Sequence, residues 1–193
     1  ITPAAASKLM SNLQGLLPPK EWQGGMPGVS YRIGPGPAIR MISKTSKQSR
    51  KVVNIFGRLE GASEEAGPGI FVGCHYDAWV YGAADPSSAT AAVLETAKAF
   101  SILRKQGWVP RRPVTFVFWD AEEYGMLGST RWVHGNPETA RNIYSFLYVD
   151  GVRAHYFSGN VLPGLQGLLD DVLEKSIDPD TGKQVIEIRM QHD

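Results

Sequence analysis

The sequence predicts an α/β domain, a mostly parallel mixed sheet flanked by helices. Three observations carry this. Short apolar runs alternate with helical segments over the last two thirds of the chain, the pattern of strands joined by crossover helices. The run RPVTFVFWD (112–120) is too continuously apolar for a surface strand and reads as one buried on both faces. The long segment SSATAAVLETAKAFSILRKQG (87–107) has the capping residues and closing glycine of a helix.

Taken in order, Thr2-Pro3 before AAASKLMSNLQGLL predicts a helix start, with Thr2 as cap and Pro3 at the first helical position. Residues 15–40 are broken by Gly and Pro and predict loops with short extended pieces. SKTSKQSRK (43–51) is polar and basic, and predicts a solvated hairpin tip or edge rather than a binding patch. KVVNIFGRLEG (51–61) predicts an alternating strand. GIFVGCHYD (69–77) predicts a short strand running into polar residues. Ser87 or Ser88 caps the long helix and Gly107 stops it. MLGSTRWVHG (126–135) predicts a short helix, IYSFLYVD (143–150) a strand ending in an acid, LPGLQGLLDDVLEKS (162–176) a helix, and KQVIEIRM (183–190) a last strand.

Composition narrows the function classes. Of 193 residues, 42% are hydrophobic, so the chain can bury a core and is not disordered. Twenty basic against nineteen acidic residues give no electrostatic case for nucleic acid. The single cysteine, Cys74, excludes an internal disulfide framework. No uncharged apolar run reaches the ~18 residues that span a bilayer.

Three predicted strands end in chemistry-bearing groups: His75-Tyr76-Asp77, then Asp120-Ala121-Glu122-Glu123, then Asp150. Ligands of open α/β sheets bind outside the carboxyl ends of the strands, so these groups can converge although distant in sequence. Asp85-Pro86-Ser87-Ser88 lies in the loop before the long helix. One histidine with several carboxylates suits a divalent metal such as zinc. His75, Asp85, Glu123 and Asp150 offer a ligand set for two ions, one of the neighbours Glu122 and Glu123 can bind metal while the other stays free to take a proton, and Asp77 is placed to orient the imidazole. Each piece alone has a plainer reading. An HxD can be a hydrogen-bonded surface pair, Glu-Glu a solvated loop, Asp-Pro-Ser-Ser a turn into a capped helix, and Asp150 a cap.

In combination these motifs strongly resemble the glutamate carboxypeptidase II and transferrin receptor group of metallopeptidase family 28. The pattern is HxD (75–77), Asp85-Pro86, GWVPRR (107–112), WDAEE (119–123) and a tail of Gly125, Gly128-Ser129-Thr130 and Trp132. It is dense over residues 69–133 and looser over 51–68 and 134–175. The resemblance implies a zinc-exopeptidase-like (phosphorylase/hydrolase-like) core over 51–193. Residues 1–50, with YRIGPGP, would be the end of a protease-associated apical domain and its linker. It further implies two Zn2+ ions per complete site. His75 and Asp150 would bind one, Glu123 the other, and Asp85 would bridge them through a residue whose bond to Pro86 is cis. Asp77 would steady His75. Glu122 would be the general base in hydrolysis of a peptide by a metal-bridging water. The substrate-binding residues stay unknown.

Departures from the group's pattern carry expectations too. The fifth ligand in that group is a histidine far beyond the Asp matching Asp150, and His155 and His192 match no motif. The chain therefore reads as a truncated piece, incomplete at the C-terminus and inactive alone. A homodimer is expected only of the full-length protein. Where glutamate-binding members have an arginine, this sequence has Ser158-Gly159-Asn160, and Arg153 nearby does not inherit the role. Arg131 and His134 stand where some members bind calcium, and none is expected there. Ala89 replaces a glycine of the DPxSG stretch. Cys74 either touches the metal or is a small buried residue pointing away. A second reading is a transferrin receptor-like binding module that keeps the fold without the chemistry, but His75, Asp85, Glu122, Glu123 and Asp150 all keep competent types. Localisation stays open, because relatives are often membrane-anchored with the catalytic part extracellular or lumenal.

Overall fold

The computed structural model describes residues 1–62, 67–152, 156–159, 161–178, 180–183 and 187–190, with 156–159 and 187–190 described by their backbone. The chain divides into two compact units, Ile1–Ser49 and Arg50–Asp193.

In the first unit, helix α1 spans Pro3–Met10, and the Thr2 hydroxyl accepts from the Ala5 amide at 3.3 Å. The helix starts as expected and ends at Met10. The Asn12 side chain caps back onto the Lys8 carbonyl at 2.6 Å, and the chain turns at Gly15 to bridge Leu16 with Ile33. Such a side-chain bond offers the backbone an alternative to further helix. A single 3-10 turn covers Lys20–Trp22. The Gln23 side chain brackets Tyr31 by accepting from its amide at 2.8 Å and donating to its carbonyl at 3.0 Å. Residues 43–51 are exposed as expected but form no hairpin or strand edge. Like charges in that run disfavour cross-strand pairing.

The second unit is built on a four-stranded sheet. The strands are β1 (Ile55–Leu59), β2 (Ile70–His75), β3 (Val114–Trp119) and β4 (Ser145–Tyr148). Their spatial order is β1-β3-β2-β4. β2 runs parallel to both neighbours, Ile70 facing Val114 on one side and Ser145 on the other. β1 is antiparallel to β3 and forms an edge. Its side chains are mostly exposed, so the expected in-out alternation is weak there. β5 (Tyr156–Gly159) and β6 (Glu187–Met190) make a separate parallel pair. The sequence had marked only the second of them.

All six residues of β3 are buried, as expected of a central strand covered on both faces. The alternation divides them cleanly. Val114, Phe116 and Phe118 join Cys74, Ala89 and Val93 on the side of helix α2 (Ser87–Lys105). Val117 and Trp119 join Phe71 on the other side, where Trp132 of helix α3 (Leu127–Gly135) and Ile143 cover them. Helices α4 (Pro137–Arg141) and α5 (Pro163–Glu174) follow. No helix among the described residues is long and apolar enough to cross a membrane.

The ends of α2 differ from each other in how closely they follow the sequence. Gly107 terminates the helix in the left-handed region, φ 93°. Its amide bonds the Arg104 carbonyl at 3.0 Å, and the Trp108 amide reaches back to Leu103 at 3.0 Å, the paired bonds of a Schellman end. Gly107→Ala is expected to cost about 1–2 kcal/mol, the left-handed penalty of an L side chain, read as a lower urea midpoint. An unchanged midpoint would mean that the turn relaxes freely. At the other end, Pro86 is the cap residue and no side chain caps the helix. Ser88 is used differently, as described next.

Candidate metal centre

The carboxyl ends of β2, β3 and β4 point to one edge of the sheet because the three strands are parallel. The loops that leave them carry His75-Asp77, Asp120-Glu123 and Asp150. Asp85 arrives on the loop that leads into α2, and the Asp85–Pro86 peptide bond is cis, as expected.

The imidazole of His75 is buried, 1% exposed, and collects its partners at both nitrogens. Nε2 lies 2.9 Å from Asp85 Oδ1 and 3.5 Å from Asp150 Oδ1. One ligand atom from each of His75, Asp85 and Asp150 lies within 4.8 Å of the others. Ligand atoms around a tetrahedral zinc with bonds of about 2.0–2.1 Å stand about 3.3 Å apart. The two observed separations bracket that spacing, and an N/O/O donor set suits zinc, so these residues fit the ion. Nδ1 of His75 faces the backbone carbonyl of Asp77 at 3.0 Å. A carbonyl only accepts, so that contact uses Nδ1 as donor, and Nε2 is the ring nitrogen that a metal would take.

Asp77 does this orienting chiefly through its main chain. Its carboxylate Oδ1 is 3.6 Å from Nδ1 but accepts from the Glu122 amide at 2.9 Å, while Oδ2 accepts from the Glu123 amide at 3.2 Å. Glu122 and Glu123 therefore sit on a loop fastened to the β2 end, and neither joins the three-residue group. The Glu122 carboxyl is pushed above the ordinary glutamate range. Burial is the main cause, with Asp150, Glu123 and Asp77 adding to it against the opposing pull of His75. A raised acid binds more protons in the folded state, so metal-free stability falls as pH rises through that range. Glu122→Gln is expected to raise the metal-free melting temperature at neutral pH and to leave it unchanged in strong acid. A melting temperature lowered at neutral pH would show that the carboxylate is a stabilising partner instead.

Several residues that build the centre are silent in the sequence. Asn54 staples the Glu122-Glu123 loop at both ends: its Oδ1 accepts from the Asp120 amide at 3.1 Å, and its Nδ2 donates to the Gly128 carbonyl at 3.0 Å. Gly128 admits this approach, since a Cβ there would lie 2.4 Å from Asn54 Oδ1 and 2.2 Å from the Asp120 carbonyl. Asp120 also accepts from the Val53 amide at 2.8 Å, and Tyr76 donates to the Val53 carbonyl at 2.7 Å. Ser88 donates to the Ala84 carbonyl and accepts from the Val152 amide at 2.9 Å, joining the Asp85 loop to the segment after Asp150. Thr90 donates to the His75 carbonyl at 3.1 Å.

Cys74 points away from the centre. It is fully buried on the α2 side with Ala89, its thiol faces Thr90 Oγ1 at 3.7 Å, and burial raises its pKa. Alternation of side chains along β2 separates it from His75. Arg153, His155, Asn160 and His192 lie outside the described residues, as does the side chain of Ser158.

The α/β unit thus gathers one buried histidine and two acids at the carboxyl edge of a sheet packed on both faces. The chain belongs to Peptidase family M28, whose family model matches residues 54–178. It is 40% identical to a probable glutamate carboxypeptidase of Arabidopsis thaliana over 179 residues, which are 91% of this chain and 25% of that protein. A probable glutamate carboxypeptidase of Zea mays is 38% identical, covering 96% of this chain and 26% of the relative. Human transferrin receptor protein 2 is 34% identical, with 94% and 23% covered. The chain thus spans about a quarter of the length of these curated relatives. Among solved structures, a peptidase M28 precursor from Shewanella amazonensis shares the fold with a TM-score of 0.53 at 21% identity, over 72% of this chain and 30% of that one. The Legionella pneumophila LapA aminopeptidase does so with 0.52 at 16% identity, over 71% and 41%.

Proposed function

We propose that residues 51–193 form the N-terminal part of the catalytic domain of a di-zinc exopeptidase. Residues 1–50 would be the end of a protease-associated apical domain. The observation that carries the reading is the convergence of His75 Nε2 with the carboxylates of Asp85 and Asp150. His75, Asp85 and Asp150 would hold one zinc, and Asp85 and Glu123 the other. When bound, the two ions would acidify the attacking water and polarise the scissile carbonyl.

The chain's own residues do the rest. Asp77 fixes the imidazole through its carbonyl and the Glu122-Glu123 backbone through its carboxylate. Glu122 takes a proton from the attacking water on a carboxylate oxygen and returns it to the leaving amine. Its raised proton affinity suits that exchange. The described residues supply three ligands to one ion and two to the other, so this chain is expected to take up one zinc and to hydrolyse little. A homodimer is proposed only for the longer protein.

The zinc-to-protein ratio by elemental mass spectrometry tests this directly. The expected value is near one for this chain. A ratio of zero would favour the transferrin receptor-like binding module, to which the 34% identity also points. In the longer protein, Glu122→Gln is expected to keep its zinc and to lose about 10²–10⁴ in kcat. A variant that kept most of its rate would remove Glu122 from the role of base.

A further inference from the structure

Two exposed aromatic side chains sit on the two loops that the Asp77 carboxylate joins. Trp79 follows Asp77 by two residues, and Tyr124 follows Glu123 directly. Their rings lie 5.2 Å apart at 52°, yet Trp79 is 65% and Tyr124 67% exposed. The Asp77 carboxylate ties these two loops together through the Glu122 and Glu123 amides. The aromatic pair therefore continues the same seam outward from the metal-ligating residues. Val80 and Met126, also exposed, flank it in sequence. Large apolar side chains left in water beside a polar centre mark a binding surface more often than a scaffold.

Charge sets what such a surface accepts. The segments 76–86, 120–127 and 148–152 contain no lysine or arginine, while they carry Asp77, Asp85, Asp120, Glu122, Glu123 and Asp150. An acidic side chain entering here finds no lysine or arginine on these loops to pair with, and the Glu122 carboxylate, outside the proposed ligand set, repels it. An aromatic or long aliphatic side chain meets two ring faces and sheds water from both.

We propose that the Trp79–Tyr124 pair is the side-chain subsite of the centre, and that it takes an aromatic or large aliphatic residue of a peptide substrate in preference to an acidic one. This rests on the reading of the centre as a zinc peptidase site. Both rings act by contact with the substrate side chain, and neither touches the metal ligands' protons.

Calorimetric titration of the zinc-loaded 193-residue chain with two small probes tests it. L-phenylalanine hydroxamate and L-glutamic acid α-hydroxamate share the zinc-binding group and differ in the side chain. The phenylalanine probe is expected to bind at least about tenfold more tightly. Trp79→Ala and Tyr124→Ala are each expected to bring the ratio toward one while zinc content stays at the wild-type value, and Trp79→Phe to preserve the preference. Equal affinities in the wild type, tighter binding of the glutamate probe, or a ratio that survives both alanine variants overturns the proposal. Zinc lost along with either ring would make the pair a scaffold of the loops and overturn it as well. A wild-type chain that takes up no zinc overturns the peptidase reading itself, an outcome seen before any probe is added.

Discussion

Zinc at a hundred times its dissociation constant is expected to stabilise the wild-type chain by about 2.7 kcal/mol, and Asp85→Ala to abolish that gain. For a chain of this size the shift corresponds to about 5–10 °C in melting temperature. The argument is geometric. Asp85 Oδ1 is the acidic oxygen nearest His75 Nε2, at 2.9 Å. Without it only His75 and Asp150 remain, 3.5 Å apart, and two ligands do not hold zinc in a stable protein site. The Asp85 side chain is 58% exposed, so its truncation costs the metal-free fold little and the comparison stays clean. Thermal scans of both proteins, with and without zinc, separate the two effects. A variant that still gained the wild-type increment would remove Asp85 from the ligand set.

Trp119→Ala is expected to cost about 3–5 kcal/mol, the range for emptying a buried aromatic site. Trp119 is 4% exposed at the end of β3. Its ring meets Phe56 edge-on at 5.5 Å, Trp132 at 5.6 Å and Phe146 at 6.5 Å, so one truncation loosens β1, α3 and β4 together. The loss is read from urea unfolding. A cost below about 1 kcal/mol would show that the neighbouring rings close the gap. The same residue precedes Asp120, its main-chain carbonyl accepts from the Tyr76 amide at 3.0 Å, and a repacked β3 end would shift that contact. Zinc affinity is therefore expected to fall along with stability.

What the sequence made legible follows from how local the cause is. β3 could be read because six consecutive buried residues have no other home, and the end of α2 because Gly107 takes a φ that other residues resist. The acids and His75 could be placed at one edge because parallel strands share a direction. Long-range backbone partners were not legible. Nothing near Asn54 announces that it will staple a loop beginning 66 residues later, and Ser88 looked like a helix cap until Val152 came back to it. The reading of Asp77 illustrates the same limit. Asp77 was expected to orient the imidazole; which of its groups would face Nδ1 was not legible, and the main-chain carbonyl lies there at 3.0 Å while the carboxylate, 3.6 Å away, accepts from two amides. Composition specifies which groups are available, whereas the choice between a side chain and its own backbone is made by the neighbouring loop.

That division of labour within Asp77 makes the His75 imidazole and the backbone of Glu122 parts of one mechanical linkage. A displacement of the β2 terminus is transmitted to the segment bearing Glu122 through two rigid amide contacts, and the reverse motion is transmitted equally. Substitutions at position 77 are therefore expected to move both, so a redesign aimed at the His75 imidazole would displace the Glu122 segment in the same stroke. Natural variation in one loop is expected to be accompanied by matching change in the other.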